Sequence, residues 1–214
     1  MLLLVVGASG SGKTAVLEQL RAQPRPGLAV HDFDEIGVPD GAMPSWRQSA
    51  NEAWLQRLLT SDQGPDVVLA GHTPLGELLA TPSAVDLDAI ACCLLDCRKV
   101  TRVDRLARRR PWTAGETAWH LAWAAWLREH AHDPQWRQEV IRHAYAPREM
   151  RWERWVHWHR GDPRWQCEIV DTSELTVTEA AAAVGRWVER QRAASSTAAL
   201  TRANRWWERT PPAA

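Results

Sequence analysis

The 214-residue sequence predicts an α/β fold, a five-stranded parallel sheet in three layers with helices on both faces. Three observations carry this. Short apolar runs recur at 1–6, 28–33, 66–70, 90–95 and 168–170. Segments with helical spacing separate them, as right-handed crossovers between parallel strands require. The first run shows no polar alternation, the pattern of a strand buried on both faces. Ligands of such sheets bind at the carboxyl ends of the strands. Those ends are Gly7–Thr14, Asp32–Asp34, Gly71-His72, Asp96 and Asp171–Ser173, and they are expected to line one edge.

The first run leads into Gly7-Ala8-Ser9-Gly10-Ser11-Gly12-Lys13-Thr14, which matches the phosphate-binding pattern of Gly, four residues, then Gly-Lys-Ser/Thr. The helix that follows, Ala15 to Arg21, spaces Leu17 and Leu20 three apart. Glycines let the backbone curl so that successive N–H groups converge on an anion, and the helix dipole adds positive potential there. Lys13 would reach the β- and γ-phosphates and the Thr14 hydroxyl would bind Mg²⁺. Lys13 is one of only two lysines, the other being Lys99, in a chain that otherwise uses arginine. A compact, mobile ammonium therefore stands at the one position that suits a phosphate. The cofactors expected are ATP and Mg²⁺.

After the second run comes a loop, Ile36 to Pro44, and then an amphipathic helix from Ser45 to Leu59 with Trp46, Ala50, Ala53, Trp54 and Leu58 on its apolar stripe. Ser61–Pro65 reads as a turn, Leu75–Ala80 as a short helix, and Arg98–Arg110 as a helix with arginines at 102, 105, 108, 109 and 110, stopped by Pro111. Thr113 to His130 predicts a strong helix with Trp119, Trp123, Trp126 and Leu127 on one face. Further segments start at Asp133-Pro134 and Pro147, and Gly161-Asp162-Pro163 is a turn. Thr176 with Glu179 forms a capping box for a last helix ending near Arg192. The domains expected are a core of 1–111 and 166–192, a helical lid insertion at 112–165, and a flexible tail at 193–214 in which Trp206-Trp207 offers a docking point.

Composition narrows the class. Twenty-six basic residues balance twenty-six acidic ones. This balance calls for neither nucleic acid nor an anionic membrane, although local patches leave a nucleic-acid acceptor open. No apolar run approaches the ~20 residues that span a bilayer, and no signal peptide is expected at the N-terminus. Cys92, Cys93, Cys97 and Cys167 lack zinc-like pairing and read as reduced core residues of a cytoplasmic protein. Fourteen tryptophans stand against one Tyr and one Phe, nine of them between Trp112 and Trp165. At helical spacing they read most simply as a packed core; the alternative is an aromatic wall for a planar or sugar-like acceptor. His157 and His159 suit either picture.

The phosphate loop after the first strand, Asp32-Phe33-Asp34 ending the second, Gly71 ending the third, the arginine-studded helix and the Asp171-Thr172-Ser173 turn together resemble the small-molecule kinases of the P-loop NTPase group, such as shikimate, gluconate and adenylylsulfate kinases and chloramphenicol phosphotransferase. The resemblance covers residues 1–110 and 166–192. It implies that Asp32 holds Mg²⁺ through water opposite Thr14, and that Asp34 takes the proton of the acceptor hydroxyl or orients it. It implies that Arg105, Arg109 or Arg110 stack on adenine or neutralise the transferring phosphoryl, with Arg105 and Arg109 assigned to the nucleotide and Arg109 to catalysis. Arg47 resembles a position that binds an acidic substrate group, with a solvated helix arginine as the alternative, and His72 is a candidate for a substrate hydroxyl. Asp171 to Ser173 would brush the adenine through backbone. No Asn-Lys-x-Asp guanine motif is present, which favours ATP over GTP. The activity expected is ATP-dependent phosphorylation of a hydroxyl on a small-molecule substrate. The alternatives are a nucleotide, nucleoside or RNA-end kinase, or a regulatory ATP-binding protein. Ala70-Gly71 stands where a water-positioning Glu would follow the third strand, which weighs against hydrolysis. The oligomeric state stays open, a homodimer included.

Overall fold

Apolar runs with no polar face can satisfy their backbone groups inside a sheet, and the computed structural model, which describes residues 1–61 and 66–208, places them there. Strands β1 (Leu2–Val6), β2 (Leu28–Asp32), β3 (Asp66–Gly71), β4 (Ile90–Asp96) and β5 (Cys167–Asp171) run parallel in the order β2-β3-β1-β4-β5. The register sets Val6 beside Gly71 and Leu94, Asp32 beside Ala70, and Asp96 beside Asp171. The five strand ends therefore share one edge, as expected.

The helices are α1 (Lys13–Ala22), α2 (Pro44–Thr60), α3 (Leu75–Ala80), α4 (Lys99–Arg109), α5 (Ala114–His132) and α6 (Val177–Ala194). Because side chains alternate along a strand, β1 feeds two cores. Leu3 and Val5 pack with Val16, Leu17 and Leu20 of α1 and with Val184 and Trp187 of α6. Leu2, Leu4 and Val6 pack with Trp54 of α2, Leu78 of α3 and Trp126 of α5. Capping boxes open two helices, Thr176–Glu179 as read from the sequence and Thr113–Glu116 in addition. All four cysteines are free thiols, three of them buried. No described helix is long and apolar enough to cross a membrane.

Four expectations change. The second strand stops at Asp32, and Phe33–Ile36 forms a 3-10 turn capped by the Asp32 carboxylate. Trp119 stays on the shared face of α5, stacked on the Trp123 ring at 6.4 Å, but is 60 % exposed, while Trp123, Trp126 and Leu127 are buried. Between residues 112 and 165 the one α-helix is α5, and the remainder is turns with 3-10 pieces at Gln138–Val140 and Trp152–Arg154. Prolines 134, 147 and 163 punctuate this stretch, and side chains take over where helical hydrogen bonds are missing. Arg154 donates to the carbonyls of Leu79, Thr81 and Pro82, and Gln135 to those of Val156 and Trp158. Trp155, Trp158 and Trp165 thereby join the same core as β1.

The fourth change is the extent of docking in the tail, which goes beyond the Trp206-Trp207 point offered by the sequence. Past α6, Ile90 N–H donates to the Leu200 carbonyl at 2.9 Å, Thr201 bridges to Ala89, and Leu200 is buried along with Trp206. The Ala/Ser/Thr-rich composition conceals the Leu200 anchor. The turn expected at Ser61–Pro65 lies outside the described residues beyond Ser61. Replacing the buried Trp206 with alanine is expected to cost about 3–5 kcal/mol of stability, read from chemical denaturation. A loss below about 1 kcal/mol would show that the docked tail contributes little.

Candidate active site

The phosphate loop folds as its glycines demand. Gly10 and Gly12 have φ of 81° and 94°, in the region where a Cβ is penalised. A Cβ on Gly7 would meet the Ser11 Oγ at 2.5 Å and the Leu95 carbonyl at 2.7 Å. Outside partners then hold the loop's carbonyls. Arg102 Nη1 donates to the Ser9 carbonyl at 2.6 Å, Arg105 Nη1 to Gly10 at 3.3 Å, and Thr172 Oγ1 to Ser11 at 2.9 Å. A peptide's N–H lies opposite its carbonyl, so anchoring the Ser9 and Ser11 carbonyls sends the Gly10 and Gly12 N–H groups the other way.

Arg102 is itself buried and paired. Its Nη2 reaches Asp96 Oδ1 at 2.7 Å, and Asp96 Oδ2 accepts from Arg128 Nε of α5 at 2.5 Å. One carboxylate at the end of β4 thus ties the phosphate loop to α4 and α5. Arg102→Gln leaves the Asp96 charge poorly compensated and the Ser9 carbonyl loosely held. The expected result is a rise in the Kd for nucleotide of about tenfold or more, roughly one net charge-assisted hydrogen bond, measured by titration of the folded variant. Unchanged nucleotide affinity would show that the loop is rigid without this brace.

A cavity of about 540 Å³ opens above the loop. Its lining brings together loop residues 8–14 with Asp32, Asp34, Gly71, His72, Arg105 and Arg109, together with Glu18 and Arg108. Lys13 donates from Nζ to the Gly7 carbonyl at 2.6 Å. Burial pushes its ammonium down to about 8, against the opposing pull of Asp32 and Asp34. Burial and the neighbouring Asp32 raise the Asp34 carboxyl, while Lys13 opposes them. The charge of Lys13, then burial, then Arg47 hold the His72 imidazole well below its usual 6.5, so it stays neutral.

Asp32 ends β2 and Asp34 lies beyond it, so a capped turn, not strand alternation, brings the two together. The Asp32 carboxylate accepts the Asp34 N–H at 3.0 Å, and the 3-10 turn this caps swings Asp34 into the cavity. Trp54 Nε1 donates to the Phe33 carbonyl at 2.8 Å and fixes the turn. Gly71 makes room for it, since a Cβ there would come within 2.6 Å of Phe33 Cβ.

Arg47 is not brought to the cavity. Its fork binds the fully buried Glu77 through Nε–Oε2 and Nη2–Oε1, both at 2.7 Å, and it lies over the Trp123 ring at 5.0 Å. A carboxylate buried on α3 needs a counter-charge, and Arg47 supplies it. The signal was present in the sequence as a lone acid within Leu75–Ala80. Arg110 also stays outside the lining, stacked 3.4 Å over the Trp112 ring and paired with Glu116 at 2.8 Å. Thr172 holds the loop and Arg105 through its side chain and carbonyl, a role beyond the backbone contact expected of it. Glu18, one turn along α1 from Thr14, was missed.

Thr14 and Asp32 fit a magnesium ion by donor chemistry, as oxygen ligands in one cavity. Among the described residues no group of three or more His, Cys, Asp or Glu could hold a metal. Such an ion would complete its shell with phosphate oxygens and water, as Mg²⁺ commonly does. The Ser11 Oγ is fully buried and has no hydrogen-bond partner among the described residues.

Among solved structures the chain is similar to an unliganded sugar kinase from Janibacter sp. HTCC2649, with 12% identity, 88% of this chain and 94% of that chain covered, and a TM-score of 0.54. It is also similar to a gluconokinase from Sinorhizobium meliloti 1021, with 18% identity, 89% and 94% covered, and a TM-score of 0.53. The fold is that of the P-loop small-molecule kinases. No family model and no curated protein matches the chain.

Proposed function

We propose that the protein is a phosphotransferase that moves the γ-phosphoryl group of ATP to a hydroxyl of a small molecule. The observation that carries this reading is the convergence of a braced phosphate loop, Lys13 and Asp34 on one cavity. The N–H groups of the loop and the Lys13 ammonium hold the β- and γ-phosphates. Arg109 and Arg108 meet the charge that spreads over the transferring group. Asp34 accepts the proton of the acceptor hydroxyl. The acceptor oxygen forms its bond to the γ-phosphorus as the bond to the β–γ bridging oxygen breaks, and ADP leaves with that electron pair. A magnesium ion held by Thr14 and, through water, Asp32 would supply further charge neutralisation on the phosphate oxygens. Neutral His72 is suited to exchange hydrogen bonds with an uncharged hydroxyl.

ADP release with Mg²⁺-ATP across sugars, polyols, nucleosides and hydroxy acids tests the reading. At least one acceptor should stimulate release well above the rate with water. A flat panel with tight ATP binding would reject it.

Acidity adds an independent check. Lys13 is cationic below about 8 and loses its charge as pH rises through that value. Phosphate favours the ammonium, so nucleotide binding at about pH 9 should take up a proton and weaken, with almost no uptake at about pH 7. Calorimetry in buffers of different ionisation enthalpy measures this, and absence of uptake at the higher pH would place Lys13 away from the phosphates.

A further inference from the structure

We infer that the acceptor carries no carboxylate: the cavity is built for a neutral or amine-bearing hydroxyl compound. This rests on the phosphotransferase reading and narrows it. Arg47 spends the Nε–Nη2 edge of its guanidinium on the two oxygens of Glu77, which fixes the side chain and neutralises its charge against a buried carboxylate. Gln48 Nε2 adds a third bond to the same carboxylate at 3.1 Å, and Trp123 covers the arginine. Turning Arg47 toward a ligand would strand Glu77 as an unpaired charge with no exposure, a strongly unfavourable state.

The charges left in the cavity divide by task. Lys13 and Arg105 are engaged with the loop, and Arg108 and Arg109, one turn further along α4, face a nucleotide that brings several negative charges. Opposite them the lining offers Glu18, Asp32 and Asp34. An acid acceptor would set its own negative charge beside Asp34, where two carboxylates already crowd each other. A hydroxyl compound without an acid group donates to Asp34 and exchanges hydrogen bonds with His72 at no such cost.

Matched acceptor pairs test this with the wild-type protein. ADP release is measured for hexoses and amino hexoses against the corresponding hexonic acids, and for a cyclic polyol against the same ring bearing a carboxylate. The neutral or amine-bearing member is expected to exceed the acid at least tenfold in kcat/KM. An acid that equals or exceeds its partner overturns the inference and leaves the phosphotransferase reading standing. Silence from every member and from the wider panel of nucleosides and polyols removes that reading and the inference with it. Glu77→Gln supplies a second measurement, since it loosens the hold on Arg47. In a variant that keeps its circular dichroism and ATP affinity, the ratio of acid to neutral turnover should rise severalfold. An unchanged ratio would show that Arg47 does not set this preference.

Discussion

Asp34→Asn is expected to lower phosphoryl transfer by on the order of 10²–10⁴-fold while ATP still binds, the range spanned by general-base catalysis. The amide keeps the shape of the side chain and its place on the 3-10 turn, because the capping bond runs from the Asp34 backbone N–H to Asp32 and does not involve the side chain of Asp34. What disappears is the proton acceptor. Burial and Asp32 already raise the Asp34 carboxyl, which makes it a better base than an ordinary aspartate. The same shift predicts the acid limb of the wild-type profile: activity is present above the raised value and falls as pH drops through it and the carboxyl protonates. Single-turnover rates with saturating acceptor, beside equilibrium ATP binding, separate the two steps. Transfer retained within tenfold would assign the proton to another group.

Lys13→Ala should reduce nucleotide turnover by on the order of 10²–10³-fold, comparable to the loss of one preorganised donor at a developing charge. The fold should survive. Lys13 is an expensive residue for the free protein, half-buried and held below an ordinary ammonium by desolvation, so its removal relieves that cost. Turnover and thermal unfolding measured together decide the matter. Intact unfolding with unchanged turnover would remove the central role of this lysine, and a collapsed fold would show that its bond to the Gly7 carbonyl is structural.

How much of this was legible depended on whether the information was local. The loop from Gly7 to Thr14 could be read because phosphate binding needs contiguous residues, each set by backbone geometry. The central strand runs could be read because burial on both faces of β1, β3 and β4 leaves no polar alternation. The capping box at Thr176 and Glu179 could be read because it closes within four residues. The second strand was misjudged by one residue, since nothing in Asp32-Phe33-Asp34 distinguishes a strand end from a capped turn until Trp54 binds the Phe33 carbonyl. In the tail, Trp206 could be read as a docking point because two adjacent tryptophans stand out, while Leu200 could not, since it acts singly among Ala, Ser and Thr.

The sequence by itself determined the sheet, the phosphate loop and the lysine within it, for these follow from short-range periodicity and from the conformational freedom of glycine. Only the tertiary structure decided the partners. Arg47 meets Glu77 across 30 residues, Arg102 meets Ser9 across 93, and Thr172 meets Ser11 across 161. No local pattern encodes such a pairing. It arises because a buried charge or carbonyl must find a counterpart wherever the packing of strands and helices brings one within about 3 Å.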